Sequence, residues 1–194
     1  WNLLAQEHRR NLCRWLLHSN AFAEQQYPKT EAQLSSTVVC AEYSPELQLQ
    51  ALHLNWRHCQ EPILDIGCGT HGQLVQFFRA YHREAYGIDR CTKAPFCSAT
   101  DWFQFDFVSQ QWGTVISHLG FSNHFIHHHW RRDGNFVQYA QQYMKILQSL
   151  QSGGRFCYVP HLPFIEQYLS DQEYQLTIYD ASIAQYQTTH IQKR

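Results

Sequence analysis

The stretch from Ile63 to Gly72, ILDIGCGTHG, is an apolar run that ends in three closely spaced glycines. Such a run predicts a buried strand that turns tightly into a helix. Glycine is favoured in this turn because the backbone needs angles that a side chain disfavours, and because the chain can then approach a ligand closely. The following helix, predicted over residues 73–81, would direct its N-terminus at that ligand. The stretch therefore predicts a nucleotide-cofactor loop in an α/β fold.

The glycine spacing is compatible with two classes of cofactor. Gly67, Gly69 and Gly72 satisfy the dinucleotide fingerprint, and Asp89 ends the next apolar stretch, where a carboxylate can bind the ribose of either class. Asp65 distinguishes the classes, because a carboxylate beside the loop would repel the phosphates of a nicotinamide or flavin dinucleotide. S-adenosylmethionine has no phosphate, and its ammonium and sulfonium are cationic. We therefore favour S-adenosylmethionine, with an NAD(P)-dependent oxidoreductase as the alternative.

Four stretches, in order along the chain, resemble the class I S-adenosylmethionine-dependent methyltransferases. Residues 64–70, LDIGCGT, resemble the glycine motif of that family, and residues 87–89, GID, resemble its second motif. Residues 99–102, ATDW, resemble the adenine-contacting segment after the third strand, and residues 150–156 resemble the turn into the fifth. Four ordered motifs over roughly residues 60 to 160 are more specific than a glycine pattern alone.

The resemblance implies a doubly wound α/β fold with a seven-stranded Rossmann-like sheet. The expected strand order is 3-2-1-4-5-7-6, with the last strand antiparallel. Residues 1–59 are expected to form N-terminal helices that cap the S-adenosylmethionine-binding core of residues 60–194. Apolar spacing predicts helices over residues 3–22, 45–59 and 136–150, and a short helix over residues 165–169. Strands are predicted around residues 114–117, 156–159, 176–179 and 188–191.

Cofactor contacts are expected at the ends of the first four strands. The predicted residues are Asp65, Gly67, Cys68, Gly69, Asp89, Arg90, Asp101, Trp102 and Ser117. By the resemblance, Asp101 would accept from the adenine amino group while Trp102 lies against the adenine face. The alternative for Asp101 is a turn cap. Cys68 occupies a loop position that wants a small residue, which favours a packing role over a reactive one.

The methyl acceptor is expected beside the segment that follows the fourth strand, residues 117–125. Ligands of doubly wound sheets bind outside the carboxyl ends of the strands, near the point where the strand order reverses. His118, Asn123 and His124 are the candidate catalytic residues. Methyl transfer mainly requires alignment, and a histidine would act as base only if the acceptor must lose a proton. The segment lacks the Asn-Pro-Pro-aromatic motif of enzymes that methylate exocyclic amines or glutamine amides, which argues against those acceptors.

Three histidines in this region have the spacing of one helical face. His124, His127 and His128 are related by i, i+3 and i+4, which is compatible with a metal site. No carboxylate or cysteine nearby completes a ligand set, so no metal is predicted.

Net charge, cysteine spacing and the length of apolar runs limit the partners and the location that can be expected. The formal net charge of −1 and the lack of a long basic run argue against nucleic acid as a partner, and a small-molecule acceptor is expected. Seven irregularly spaced cysteines argue against a disulfide framework and a thiolate zinc site. No run approaches the roughly 20 apolar residues that cross a bilayer, so a cytoplasmic protein without membrane contact is expected. A non-catalytic S-adenosylmethionine-binding sensor or partner protein remains a third alternative.

Overall fold

The computed structural model describes residues 43–108, 111–180 and 186–194. The strands are β1 (Ile63–Ile66), β2 (Ala85–Asp89), β3 (Cys97–Ala99), β4 (Trp112–His118), β5 (Leu150–Val159), β6 (Tyr174–Asp180) and β7 (Gln187–Lys193). The helices are α1 (Pro45–Ala51), α2 (Gln73–Ala80), α3 (Phe121–Trp130), α4 (Phe136–Gln148) and α5 (Pro163–Glu166), with a 3-10 turn at Trp56–His58. The helix predicted over residues 3–22 lies outside the described residues, as does most of the predicted cap.

The strands form one seven-stranded sheet in the order β3-β2-β1-β4-β5-β7-β6. β1 pairs in parallel with β2 and β4, and the parallel arrangement continues to β3 on one side and β5 on the other. β7 runs antiparallel to both β5 and β6. The predicted strand order and the antiparallel last strand are confirmed.

Both faces of the sheet are covered, so the central strands are apolar along their length. Every residue of β1 and β4 is buried, which is typical of parallel strands between two helical layers. Successive side chains of a strand point to opposite faces. Accordingly, Leu64 and Ile66 pack with Tyr143 and Phe156 in one core, whereas Ile63 packs in the other.

The first described helix is shorter than predicted. The apolar pattern predicted a helix over residues 45–59, but α1 ends at Ala51, and His53 has a positive φ of 51°. The side chain of Asn55 then accepts a hydrogen bond from the Arg57 amide at 3.1 Å and caps the separate 3-10 turn. Asn favours such local bonds to the backbone over a helix interior, which explains the break.

The helix predicted over residues 136–150 ends two residues earlier than predicted. α4 ends at Gln148, and Leu150 already pairs with Trp112 as the first residue of β5. The register between β4 and β5 shifts just beyond this pair. A Cβ at Gly154 would lie 2.8 Å from the Trp112 carbonyl oxygen, so the glycine permits close strand contact and does not stop a helix.

Other differences lie at the ends of elements. Phe136, predicted as the first residue of a buried stripe, is 51% exposed at the start of α4. α5 begins at Pro163, two residues before the predicted start, because proline fits the first position of a helix. β4, β5, β6 and β7 each extend beyond the predicted residues.

Candidate active site

A cleft of about 310 Å³ opens at the carboxyl ends of β1, β2 and β4. Its lining consists of Tyr43, Gln48, Gly67, Cys68, Gly69, Asp89, Arg90, Cys91, Trp102, His118, Leu119, Gly120, Asn123 and His124. The structure thus brings together most of the residues predicted from the sequence for the cofactor and the acceptor. Asp65, Asp101 and Ser117 do not line the cleft.

The glycine loop has the backbone conformation that its sequence predicts. Gly67, Gly69 and Gly72 have φ values of 79°, 74° and 54°, in the left-handed region that glycine adopts at least cost. The amides of Gly67 and Cys68 donate to the Ile88 carbonyl at 2.8 and 3.2 Å. The Gly69 amide donates to Oδ2 of Asp89 at 3.2 Å. Acceptors of the protein itself therefore occupy the N–H groups of Gly67, Cys68 and Gly69.

Gly120 is part of the site, although the sequence did not lead us to include it. A Cβ at Gly120 would lie 3.2 Å from the Ile66 carbonyl oxygen, and one at Gly67 would lie 3.4 Å from Cα of Gly120. The turns after β1 and β4 therefore approach each other backbone to backbone. The available signal was a glycine two residues after a buried strand, in the segment 117–125 predicted for the acceptor. Leu119 belongs to the same predicted segment, whereas Gln48 and Cys91 line the cleft without having been predicted.

Asp89 holds the loop while keeping part of its carboxylate available. Its Oδ1 accepts from the Cys91 amide at 2.8 Å, and its Oδ2 accepts from the Gly69 amide. An ionised carboxylate offers about four lone-pair directions, so two remain for a ligand. Asp89 and Arg90 both lie on the cleft surface, at the end of β2 and just beyond it.

Asp65 lies beneath the loop and is only 3% exposed. Its Oδ2 has no hydrogen-bond partner among the described residues. Burial, with further contributions from the negative charges of Cys97 and Asp89, raises the pKa of Asp65 to about 8. The carboxyl is therefore mainly protonated at neutral pH in the free protein. The sequence argument assumed a charged carboxylate here, and that assumption is corrected.

Two further predicted cofactor residues have structural roles. Ser117 is fully buried, and its hydroxyl donates to the Ile66 carbonyl at 3.1 Å and accepts from the Phe121 amide at 3.0 Å. This residue therefore joins β4 to β1 and to the first turn of α3. The Cys68 thiol is buried, and its hydrogen bond with Cys97, together with burial, raises its pKa. That raised pKa agrees with the packing role expected for Cys68.

Asp101 and Trp102 follow β3 as predicted. Oδ1 of Asp101 accepts from the Phe103 amide at 2.9 Å, which is the turn cap left open as an alternative. Trp102 lies on the cleft surface, with its ring edge-on to His124 at a centroid distance of 5.2 Å. The aromatic ring rather than the carboxylate is thus the group of this pair that faces the cleft.

The two candidate histidines differ in environment. His118 is 8% exposed, and burial lowers its pKa to about 3. His124 is exposed on the first turn of α3, next to Asn123. Its pKa is also lowered, by partial burial first and then by the positive charge of Arg90. Both imidazoles are neutral at pH 7, but only His124 is open enough to gain a proton without a large desolvation cost.

The three histidines of the predicted helical face have separate neighbours. The His124 ring contacts Trp102, and the His128 ring stacks on Tyr139 at 4.8 Å. Nε2 of His127 lies 3.3 Å from a guanidinium nitrogen of Arg131. Within residues 43–108, 111–180 and 186–194, no group of three metal-ligating side chains is arranged to hold a metal ion.

Comparison with known proteins gives structural matches only, because no family model and no curated protein sequence matches the chain. A TehB-like SAM-dependent methyltransferase from Corynebacterium glutamicum aligns with a TM-score of 0.51 at 14% identity, covering 79% of this chain and 89% of its own. The plantazolicin methyltransferase BpumL, solved in complex with SAH, also aligns with a TM-score of 0.51, at 13% identity, over 98% of this chain and 96% of its own. The chain has the class I methyltransferase fold.

In this methyltransferase fold, the described cleft lies where the strand order reverses. β1 and β4 are neighbours in the sheet, yet the chain leaves them in opposite directions, to β2 and to β5. Their carboxyl ends carry the glycine loop and the segment from His118 to His124. Such a reversal point is where ligands of open α/β sheets bind. No helix among the described residues is long and apolar enough to span a membrane.

Proposed function

We propose that the protein is an S-adenosylmethionine-dependent methyltransferase that uses this cleft for the cofactor and a small-molecule acceptor. The observation that carries the proposal is the state of the glycine loop. The amides of Gly67, Cys68 and Gly69 already donate to Ile88 and Asp89, and the buried carboxyl of Asp65 lies beneath them. At these three residues the loop therefore offers no free N–H donor, and the Asp89 carboxylate lies on the cleft surface beside them.

This loop chemistry separates the two cofactor classes. A dinucleotide places its pyrophosphate on free backbone N–H groups at the glycine turn and the following helix N-terminus. Here the amides of Gly67, Cys68 and Gly69 are bonded within the protein, and the first residues of α2 do not line the cleft. S-adenosylmethionine needs no such donors, since it has no phosphate. The arrangement favours it over NAD(P), and it does so even though Asp65 is protonated in the free protein.

Several residues fit the parts of S-adenosylmethionine. Asp89 has lone pairs left for ribose hydroxyls, and Trp102 offers an aromatic face for adenine. The unpartnered Oδ2 of Asp65 suits a cationic neighbour, which would draw the proton off the carboxyl. When bound, S-adenosylmethionine supplies a methyl group already activated on a sulfonium. The protein then needs mainly to orient the acceptor and exclude water.

The rest of the cleft fits a small, weakly charged acceptor. Among the described residues, Asp89 is the only acid on its lining, and Arg90 is the only arginine or lysine. We propose that Asn123 and His124 orient the acceptor from the rim. His124 can also take a proton if the acceptor must lose one, because it is neutral at pH 7 and exposed. Burial disfavours the charged form of His118, so this residue acts as a hydrogen-bonding partner and not as a base.

Methyl transfer to a metabolite mixture tests the proposal. The protein is incubated with methyl-labelled S-adenosylmethionine and a protein-free cell extract, and low-mass products are scanned for label. We expect a labelled product with the wild type and with Asp171→Asn, a control at an exposed turn, and little product with Asp89→Asn.

Two results would replace the proposal. If NADH rather than S-adenosylhomocysteine protects the wild type against heat, the protein is an oxidoreductase. If S-adenosylhomocysteine binds but no label is transferred from any extract, the protein is a non-catalytic binder.

A further inference from the structure

A second concave region is lined by residues of β4, β5, β6 and β7 and by the segment that follows α1. Two adjoining hollows, of about 210 and 220 Å³, share Arg155, Tyr179 and His190. We call their combined space the amino-edge cavity. It is lined by His53, Leu54, Asn55, His58, Cys59, Gln60, Gly113, Thr114, Gly153, Arg155, Cys157, Gln175, Thr177, Tyr179, His190 and Gln192. Gly113 and Thr114 begin β4, whereas the cofactor cleft lies at the other end of that strand.

The charge of this lining has one sign. The lining holds one arginine and three histidines, and in the part of the chain that the structure describes it includes no aspartate or glutamate. A concave surface lined by a cation, with no acid opposite, attracts anions. The cofactor cleft lacks this property, because Asp89 lies on its surface.

Arg155 is exposed on β5 and lines the cavity. No hydrogen bond or ion pair joins its guanidinium to another described residue, whereas Arg79 donates to the Ala85 carbonyl and Arg131 pairs with Asp133. The positive charge of Arg155 influences two neighbouring residues of the lining. Burial raises the pKa of Cys157, and the charge of Arg155 partly offsets this rise. Burial lowers the pKa of His190, and the charge of Arg155 lowers it further. A guanidinium forms paired hydrogen bonds with carboxylate or phosphate oxygens, and here these bonds are unused.

The wall beside Arg155 is fixed by aromatic rings. His53 stacks on Tyr179 with ring centroids 4.3 Å apart, and Tyr179 contacts His190 edge-on at 4.8 Å. His190 already has a structural role, because its Nε2 donates to the Leu52 carbonyl at 2.7 Å, at the end of α1. This wall is held without any bond to Arg155, so the arginine remains available to a ligand.

We propose that the amino-edge cavity binds a small oxyanion, the phosphate or carboxylate group of a metabolite, with Arg155 as its main contact. The residues that carry this proposal differ from those of the cofactor cleft, so it stands independently of the methyltransferase assignment. Gln192 on the neighbouring strand β7 is the register partner of Arg155, and Thr177 and His53 are further donors on the lining.

Calorimetric titration tests the proposal on the whole protein. Inorganic phosphate and succinate are titrated separately at constant ionic strength, with the cofactor cleft saturated by S-adenosylhomocysteine where that ligand binds. We expect at least one of the two probes to bind, and Arg155→Gln to weaken that binding by about tenfold or more. Arg132→Gln, at an exposed arginine between α3 and α4, is the matched control and should leave the affinity unchanged.

A second variant keeps the test decisive if Arg155→Gln folds poorly. Gln175→Glu is nearly isosteric, lies on an exposed position of β6, and places a carboxylate in the lining. It should also weaken binding of the anion. Binding of phosphate alone assigns the cavity to phosphate groups, and binding of succinate alone assigns it to carboxylates. Binding of neither probe, or equal affinity in wild type, Arg155→Gln and Gln175→Glu, would overturn the proposal.

Discussion

At the carboxyl ends of the strands, the cofactor cleft has Asp89 on its surface and Asp65 beneath it, whereas the amino-edge cavity has Arg155 and, among the described residues, no acid. Both lie on the same sheet, but the cleft is built from strand ends and the turns after them, whereas the amino-edge cavity is lined by side chains from within β5, β6 and β7, by the start of β4 and by the segment after α1. Each of the two collects side chains from distant parts of the sequence. The comparison shows that one sheet can carry a concave surface with a carboxylate in one place and, among the described residues, a concave surface with an arginine and no acid in another.

The largest loss of cofactor affinity is expected from removing the charge of Asp89. Asp89→Asn loses an ionised acceptor for the ribose hydroxyls, and charge-assisted hydrogen bonds contribute about 1.5–3 kcal/mol each. We expect the affinity for S-adenosylhomocysteine to fall by about a hundredfold in calorimetric titration. Asp171→Asn serves as the exposed control. Unchanged affinity in a folded Asp89→Asn protein would remove the basis for the cofactor assignment.

A smaller effect is expected at the rim of the same cleft. His124→Ala removes a side chain that we propose orients the acceptor, and a hydrogen bond of this kind contributes about 1 kcal/mol. Turnover at saturating S-adenosylmethionine should fall about fivefold, while the affinity for S-adenosylhomocysteine changes little. If His124→Ala instead loses affinity for the cofactor and keeps its turnover rate at saturation, His124 contacts the cofactor and not the acceptor.

The affinity for S-adenosylmethionine should depend on pH through the protonation of Asp65. Its pKa is raised from an ordinary 3.8 to about 8, so the free protein holds a proton there that a cationic ligand must displace. The affinity for S-adenosylmethionine should therefore rise between pH 6 and pH 8, by at most about tenfold per pH unit. The ratio of wild-type to Asp65→Asn affinity isolates this residue from the titration of the ligand. A ratio that is constant with pH would show that the cofactor does not pair with Asp65.

The smallest change in cofactor affinity is expected from a substitution in the amino-edge cavity. Arg155→Gln removes a charge at the amino ends of the strands, and distant independent sites contribute additively. The affinity for S-adenosylhomocysteine should be unchanged within error. A marked loss would mean that the two edges are coupled, and the comparison between them would then need a structural link that joins Arg155 to the glycine loop.

The sequence predicted the features that depend on local pattern. The glycine run, the acid at the end of β2 and the buried strands were each readable within about ten residues, and the resemblance supplied their order in the sheet. Where a local cap competed with an apolar stripe, the pattern was misleading. Asn55 caps a separate 3-10 turn within the helix predicted over residues 45–59, and Leu150, the last residue of the helix predicted over residues 136–150, is the first residue of β5.

The chemistry of the site depended on contacts that no local pattern contains. Asp65 was expected to be charged, but burial, with the negative charges of Cys97 on β3 and Asp89 on β2, raises its pKa to about 8. His118 and His124 were both candidate bases, but His118 is buried, and its ring packs against that of Tyr43, far away in the chain, at a centroid distance of 4.9 Å. The strand order β5-β7-β6 was predicted, but the register that places Arg155 beside Gln192 and Thr177 beside His190 was not.

The most direct test of the account is a pair of calorimetric titrations on the wild-type protein, one with S-adenosylhomocysteine and one with NADH, each repeated on Asp89→Asn. The account predicts that S-adenosylhomocysteine binds the wild type, that Asp89→Asn weakens this binding strongly, and that NADH does not bind. Binding of NADH in preference to S-adenosylhomocysteine would contradict it, because a dinucleotide would then occupy a glycine loop whose amides already bond to Ile88 and Asp89.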